Sequence, residues 1–303
     1  MIGIDNKEFI LDFSNYLKLD KNYSDNTVES YLRDIRYFLD YVNKEIIDIN
    51  KNDIDDYITF NLNNYNESSL NRMIASIKGF FKYLSLYKGF INVSEDVECL
   101  KRKKTLPKYL SIEEVDKLLD INLNNAFDYR NKAILEMMYA TGLRASEVVN
   151  LEIQNIDLVN KVVNVYGKGK KERIVPLSNI SINYLDIYIN NYRSELFVNG
   201  NNPKDILFLN NHGLKMTRQG LYKIIGKIAK EKNINKEITP HVLRHSFATH
   251  MIECGADIRS VQELLGHENV ITTEVYTHLA DNFIKNSYNE YFNRSEKEVN
   301  AHV

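Results

Sequence analysis

The stretch VVNVYGKGKKERIVP, at residues 162–176, is the one segment of the sequence with a clear β pattern. Three valines among its first four residues precede a turn that contains two glycines, and Ile174 and Val175 follow the turn. β-Branched residues on both sides of a short glycine-containing turn are typical of an antiparallel hairpin. The segment therefore predicts a small sheet in a chain whose other apolar patterns are helical.

The first hundred residues predict helices only. Ser24-Asp25-Asn26-Thr27 offers several N-cap residues, and apolar residues then recur at helical spacing over Val28–Val42. A second amphipathic helix follows Ser68-Ser69, and shorter helices fit Lys7–Leu19 and Asp53–Leu62. These patterns indicate an all-α domain.

A basic segment that ends in Pro107 interrupts the helical pattern, and helices resume after it. Ser111-Ile112-Glu113-Glu114 is a capping-box pattern, and the next predicted helix runs from Tyr129 to Tyr139 and stops at Thr141-Gly142. Further helices are predicted at Ile180–Tyr192, Thr217–Lys230, His241–Cys254, Ile258–Leu264 and Thr272–Leu279. The fold class is therefore mainly α with a small antiparallel sheet, and we divide the chain into domains at 1–103 and 109–303 joined by a linker at 104–108.

Composition bounds the class of protein. A hydrophobic fraction of 44% and a charged fraction of 26% are usual for a soluble globular protein, and no apolar run approaches the ~18 residues of a membrane span. The first residues carry acids where a signal peptide has bases, so we expect a cytoplasmic protein. Cys99 and Cys254 match no metal or redox spacing, and we expect two reduced, buried thiols.

The formal net charge of −2 does not by itself indicate nucleic acid binding, but the charge is unevenly distributed. Residues 1–100 hold 11 Lys and Arg against 17 Asp and Glu, a charge of −6, whereas residues 101–303 hold 28 against 24, a charge of +4. The bases of the second part cluster at Lys101–Lys108 and Lys168–Arg173. Phosphate binding depends on such local patches, although most basic clusters are only solvated surface.

Three segments place unusual polar residues beside apolar helix. They are TGLRASE at 141–147, HVLRH at 241–245 and LLGH at 264–267, and Tyr276 follows His267 by nine residues. Together with a lysine in the hairpin turn, these segments resemble the boxes of the tyrosine recombinases, also called the phage integrase family, and in particular those of the bacterial Xer recombinases. Five separated boxes in the family's order make a chance resemblance very unlikely, and the resemblance covers nearly the whole chain.

The resemblance implies a SAM-like, all-α core-binding domain and a mainly helical catalytic domain of the DNA breaking-rejoining fold, which close on a duplex as a C-shaped clamp. It implies catalytic roles for Arg144, Lys168, His241, Arg244, His267 and the nucleophile Tyr276. In this scheme Tyr276 forms a covalent 3′-phosphotyrosyl link and Lys168 is the general acid for the leaving 5′-oxygen. The link conserves the bond energy, so the family needs no ATP, and it uses no metal or other cofactor.

These residue types suit attack on a phosphodiester. Negative charge builds on the phosphorus oxygens, and Arg144 and Arg244 offer paired, charge-assisted hydrogen bonds to them. His241 lies three residues before Arg244, one helical turn away on the same face. A free tyrosine has a pKa near 10, so Tyr276 needs a cationic site that favours the phenolate, or a base.

Within the boxes, the choice of Lys168 as the active-site lysine and the role of Glu147 each keep an alternative. Tyr276 is one of 20 tyrosines, and its position after the LLGH box distinguishes it from the rest. Lys170 is the rival of Lys168, and the register of the hairpin decides between them. Gly167-Lys168-Gly169-Lys170 does not match a nucleotide-binding phosphate loop. Glu147 either supports the site by holding Arg144 or lies on a helix surface.

The histidines also permit a second hypothesis. His241 and His245 have the i, i+4 spacing of a zinc-binding helix pair, but Val242 stands where that motif has Glu. We therefore expect no metal and interpret His245 and His250 as structural.

The resemblance also implies partners and a setting. A double-stranded recombination site is the substrate, and Thr27, Tyr31 and Arg72 resemble family positions that face DNA. Because they belong to the basic clusters, Lys101, Arg102 and Lys170 are further expected DNA contacts. Four protomers, identical or including a second recombinase, synapse two sites and exchange strands through a Holliday junction near the nucleoid, and a DNA translocase is a further expected partner. The apolar tail after Tyr276 either docks on a neighbouring protomer or packs as a core helix.

Four functions remain open from the sequence. The first is Xer-type resolution of chromosome or plasmid dimers, and the second is integration or transposition of a mobile element. The third is a DNA-binding accessory protein without catalysis, which the presence of all six expected residues disfavours. The fourth is a type IB topoisomerase, which the short N-terminal domain disfavours.

Overall fold

The structure is a computed structural model, and it describes residues 4–100, 109–167, 172–198 and 205–266. Two compact units divide the chain, Met1–Leu106 and Pro107–Val303. The predicted linker at 104–108 lies outside the described residues, so the domain boundaries stay a prediction.

The regular elements of the first unit, within the residues that the structure describes, are all helices. Its helices are α1 (Ile4–Leu19), α2 (Asp25–Val42), α3 (Lys51–Asn61) and α4 (Glu67–Lys88), with a 3₁₀ turn at Ile46–Asp48. Ser24 caps α2 as the sequence predicted, because its side chain accepts from the backbone N–H of Thr27. The second long helix begins earlier than predicted, since Asn66 rather than Ser68-Ser69 is its N-cap.

The core of this unit is aromatic. Phe13, Phe38, Phe80 and Phe81 are all buried, and the rings of Phe13 and Phe80 meet edge to face with centroids 5.3 Å apart. Burial of large rings removes much apolar surface from water, which compensates for the small size of the unit.

The second unit combines seven helices with three short strands in the part of the chain that the structure describes. The helices are α5 (Ile112–Leu119), α6 (Ala126–Thr141), α7 (Ala145–Val148), α8 (Asn179–Ile187), α9 (Arg218–Glu231), α10 (Pro240–Glu253) and α11 (Ile258–Leu265). The strands are β1 (Ile156–Asp157), β2 (Val162–Tyr166) and β3 (Glu172–Pro176). The capping box at Ser111 and Glu114 forms as predicted. Shorter turns lie at Ile153–Asn155, Tyr188–Tyr192 and Arg193–Leu196.

The predicted hairpin is present and belongs to a three-stranded antiparallel sheet in the order β1-β2-β3. Val163 pairs with Val175 and Val165 with Arg173, and all four residues are buried. Ile174 faces outward instead and is 40% exposed. The register therefore turns Arg173 inward, toward the rest of the unit.

Helix α6 is the central element of this unit. It packs against α8, α10 and α5, and most of its residues are buried. Its last residue, Thr141, donates its hydroxyl to the carbonyl of Met137 at 2.6 Å. The buried C-terminal end of α6 thus leads directly into the TGLRASE segment.

One expectation about the thiols is wrong. Cys99 is exposed because it lies in the irregular segment after α4, and only Cys254 is half-buried. Among the helices of the described ranges, none is long and apolar enough to cross a bilayer.

Candidate active site

The site begins where α6 ends. Gly142 caps α6 in the left-handed conformation, with φ at +61°. A Cβ on this residue would lie 2.5 Å from Phe247 and 2.7 Å from Leu265, so both the backbone angle and the space require glycine. The turn at Gly142 places Arg144 at the N-cap of the short helix α7.

Glu147 holds Arg144 in place. Its carboxylate accepts the backbone N–H of Arg144 at 2.8 Å and the Nη1 of the same residue at 2.9 Å. The Glu147 side chain is 5% exposed, whereas that of Arg144 is 37% exposed. Of the two alternatives left by the sequence, Glu147 is therefore the support of Arg144 and not a surface residue.

Arg173 is the residue of this cluster that the sequence analysis missed as part of the site. Its Nη1 and Nη2 donate to the two carboxylate oxygens of Glu147 at 2.9 and 2.8 Å, and its Nε donates to the carbonyl of Leu264 at 3.0 Å. In the sequence it stands only as one base of the cluster Lys168–Arg173. The hairpin register was the available signal, because pairing with Val165 puts Arg173 on the inward face of β3.

Glu147 stays ionised in this environment. Burial acts to raise the pKa of its carboxyl group, but the hydrogen bonds and charge of Arg173, together with those of Arg144, outweigh burial and hold the pKa below its usual range. The carboxylate is therefore a fixed negative charge between two guanidinium groups.

Arg244 comes from α10, which Thr239 caps and which begins with Pro240. Its Nη1 donates to the carbonyl of Gly142 and its Nη2 to the carbonyl of Leu265, both at 2.7 Å. Burial, with the nearby charge of Arg144, lowers the pKa of Arg244 to about 10. The group is still a cation at neutral pH, and an anion bound beside it would offset the repulsion between Arg244 and Arg144.

The three guanidinium groups and one carboxylate carry a net charge of +2. Arg144 and Arg244 come from boxes a hundred residues apart, and both reach the C-terminal end of α11, where Arg144 Nη2 donates to the carbonyl of Gly266 at 3.1 Å. A guanidinium has five N–H donors, and the hydrogen bonds among described residues use two of those on Arg144's side chain and two of those on Arg244. Such a cluster can bind a tetrahedral oxyanion.

The other catalytic candidates divide into two groups. His241 is exposed in the first turn of α10, one helical turn before Arg244. Lys168, His267 and Tyr276 lie outside the described residues, as do Lys101, Arg102, Lys170, the predicted helix Thr272–Leu279 and the tail.

The remaining histidines have structural surroundings. His250 is buried and its Nδ1 shares a hydrogen bond of 2.9 Å with the hydroxyl of Tyr139, while the ring of His245 lies edge-on to Tyr109 at 6.2 Å. Within the described ranges no group of three or more His, Cys, Asp or Glu side chains is placed to hold a metal ion.

The DNA-contact candidates of the first unit lie on α2 and α4. Thr27 hydrogen-bonds the capping Ser24 through its hydroxyl at 2.8 Å, and Tyr31 is half-buried one turn further on. Burial, together with the neighbouring Tyr23, raises the pKa of Tyr31. Arg72 forms an ion pair with Asp34, which also accepts a hydrogen bond from Ser76 at 2.9 Å.

Comparison with known families identifies the class of protein. Residues 108–282 match the pattern described as "Phage integrase family", and residues 10–88 match that of "Phage integrase, N-terminal SAM-like domain". The chain therefore belongs to the phage integrase family, the tyrosine recombinases, as the resemblance predicted. It is a site-specific recombinase by class.

Individual relatives indicate which type of tyrosine recombinase this is. The chain is 42% identical to "Tyrosine recombinase XerD" of Oceanobacillus iheyensis over 94% of this chain and 98% of that protein, and 40% identical to the protein of the same name in Listeria monocytogenes over 95% and 99%. Among solved structures it is similar to XerH recombinase bound to difH substrate in a pre-cleavage complex, with 25% identity, a TM-score of 0.65 and coverage of 89% and 82%. The recombinase is thus of the Xer type, and these relatives do not favour the mobile-element alternative.

Proposed function

We propose that this recombinase cleaves and rejoins DNA with Tyr276 as nucleophile and with Arg144 and Arg244 as the phosphate-binding pair. The observation that carries the proposal is the convergence of these two guanidinium groups, from separate boxes, on the end of α11. Each has N–H donors that the described residues do not use and that could bind the non-bridging oxygens, and removal of one such preorganised donor typically costs about 3–4 kcal/mol of transition-state stabilisation.

The proposed reaction has two transfers. Tyr276 attacks the phosphorus, a 3′-phosphotyrosyl link forms, and Lys168 gives a proton to the leaving 5′-oxygen. His241 and His267 donate hydrogen bonds to the phosphate oxygens or move the proton of the nucleophile. A 5′-hydroxyl then attacks the link and releases Tyr276, so the reaction needs neither ATP nor a metal ion.

The proposed substrate is a double-stranded recombination site, as in the XerH complex with difH. Thr27, Tyr31 and Arg72 would contact the duplex from the first unit, and Lys101, Arg102 and Lys170 would contact its phosphates. We propose a tetramer of identical or paired recombinases that resolves chromosome or plasmid dimers in the cytoplasm, at the nucleoid, with a DNA translocase as a further partner.

The test is covalent capture. A duplex selected from a random-sequence pool by binding to the full-length chain is nicked next to the cleavage point, so that the released fragment cannot rejoin. We expect wild type to form a 3′-linked adduct on a denaturing gel, with or without EDTA, and Tyr276→Phe to bind the duplex without forming it. An adduct with Tyr276→Phe would refute the nucleophile, and binding without any wild-type adduct would instead support an accessory protein.

A further inference from the structure

The last carbonyl groups of α11 each accept a hydrogen bond from a different arginine. Leu264 accepts from Arg173 at 3.0 Å, Leu265 from Arg244 at 2.7 Å and Gly266 from Arg144 at 3.1 Å. The arginines come from β3, from α10 and from the N-cap of α7. Three distant parts of the chain are thus hydrogen-bonded to three consecutive residues at the end of α11.

A helix end suits this task. The final carbonyls of a helix have no partner within it, and they carry the negative end of the helix dipole. In α11 these groups are satisfied by guanidinium groups. Since all three acceptors belong to one rigid turn, the spacing of the three arginines is set by the backbone of α11.

Arg173 is the most firmly held of the three. Its side chain is only 8% exposed, and it joins Glu147 by two hydrogen bonds and Leu264 by a third. It also packs against Gly266, where a Cβ would lie 3.0 Å from its Nη1. Arg173 therefore links the hairpin both to Glu147, which holds Arg144, and to the end of α11.

The contact between Arg173 and Glu147 also affects the charge that Arg144 presents. Glu147 lies against both Arg144 and Arg173, and a carboxylate left with Arg144 alone would cancel the charge of that residue. The paired hydrogen bonds from Arg173 neutralise Glu147 instead. The charges of Arg144 and Arg244 then remain available to an incoming anion.

We propose that Arg173 is a positioning residue of the recombination reaction, which fixes Arg144 and the end of α11 and keeps Glu147 from neutralising Arg144. The inference rests on the proposed role of Arg144 and Arg244 in binding the DNA phosphate. Arg173 itself is buried, and it acts through its contacts with Glu147 and Leu264.

The test measures the single-turnover rate of adduct formation on the nicked duplex, at a temperature where each variant is folded by circular dichroism. Loss of a residue that orients a metal ligand typically costs roughly 10- to 100-fold in activity, and we expect Arg173→Met, which removes the residue that orients Arg144 and Glu147, to slow adduct formation by a similar factor. Arg173→Lys, which keeps the charge, should recover part of the rate. Adding Glu147→Gln to Arg173→Met should also recover rate, because it removes the carboxylate that would pair with Arg144.

Arg130→Met is the matched control. Arg130, at 5% exposed, is buried as Arg173 is, and it also donates to a backbone carbonyl, that of Leu209 at 2.8 Å, but it lies about 18 Å along α6 from Gly142. We expect Arg130→Met to lower the melting temperature and to cleave at the wild-type rate. A purely structural role for Arg173 predicts the same behaviour for Arg173→Met.

The outcomes separate this inference from the proposed function. Wild type without a Tyr276-dependent adduct contradicts the proposed function. Wild-type activity together with an unchanged rate in Arg173→Met, or with no recovery when Glu147→Gln is added, contradicts the role of Arg173 alone. If Arg173→Met does not fold, Arg173→Lys and the double variant decide between the outcomes. A double variant that is slower than Arg173→Lys by the whole loss expected of Arg173→Met, roughly 10- to 100-fold, would also contradict the role of Arg173.

Discussion

Gly142→Ala is the substitution whose cost follows most directly from the geometry. The residue has φ at +61°, and a left-handed backbone costs a residue with a Cβ about 1–2 kcal/mol. The new methyl group would also lie 2.5 Å from Phe247 and 2.7 Å from Leu265, both buried, and such overpacking costs about 1–3 kcal/mol. The free energy of unfolding should therefore fall by about 2–5 kcal/mol, or on the order of 10 °C in melting temperature for a unit of this size.

Two other glycines of the same unit separate these contributions. Gly255 has φ at +89°, and apart from its chain neighbours no described residue has an atom within 4 Å of the position that a methyl group would occupy there. Gly255→Ala should therefore cost only the backbone contribution of about 1–2 kcal/mol. Gly226 lies inside α9, where a Cβ would meet no described atom within 4 Å outside the helix's own backbone, and Gly226→Ala should stabilise by about 0.5–1 kcal/mol.

Urea and thermal unfolding of the full-length variants, followed by circular dichroism, measure this order of stability. Gly142→Ala should be the least stable and Gly226→Ala the most. Because the carbonyl of Gly142 accepts from Arg244 at 2.7 Å, the folded Gly142→Ala protein should also form the covalent adduct more slowly than Gly255→Ala. Equal stability of Gly142→Ala and Gly255→Ala would refute the argument from close packing.

Three further substitutions test other contacts. Arg244→Lys keeps the positive charge, but a lysine cannot donate to two carbonyls and a phosphate at the same time. Adduct formation should therefore slow by about 10²–10³-fold while binding of the duplex persists, and a wild-type rate would contradict this. Burial lowers the pKa of His250, so near and below pH 6.5 the unfolded chain binds a proton that the folded chain does not. The free energy of unfolding of wild type should therefore fall as the pH drops below 6.5, by up to about 1.4 kcal/mol per pH unit. In urea titrations His250→Gln should show a smaller fall, and an unchanged dependence on pH would exclude His250 as the cause. Asp34→Ala leaves Arg72 and Ser76 without their shared acceptor and should cost roughly 1–3 kcal/mol in urea unfolding, whereas a loss near zero would mean that solvent replaces the pair.

Much of the fold could be predicted because its signals are local. The N-cap Ser24, the capping box at Ser111 and the valines of the hairpin each act within a few residues, and the structure contains the elements they predict. The two-residue strand β1 and the four-residue helix α7 were not predicted, because neither is long enough to show a period.

The site could be predicted only in part. Arg144 and Arg244 stand in recognisable boxes, but the role of Arg173 depends on where β3 meets α11 and Glu147, which no local pattern encodes. An arginine that follows several lysines has the appearance of solvated surface, and only the pairing of Val165 with Arg173 distinguishes it. Burial of a charge is a property of tertiary structure, and it is the feature that separates Arg173 from its neighbours.

The acceptors at the end of α11 are peptide oxygens, which has a consequence for how this site tolerates mutation. Exchange of one side chain for another at Leu264 or Leu265 changes the packing of the helix but leaves both oxygens in the chain. A scan of single substitutions would therefore find the donors and miss the acceptors. Insertion or deletion of one residue in Ile258–Leu265 would rotate every carbonyl by about 100° and release the arginines together, so this short helix should vary in composition far more readily than in length.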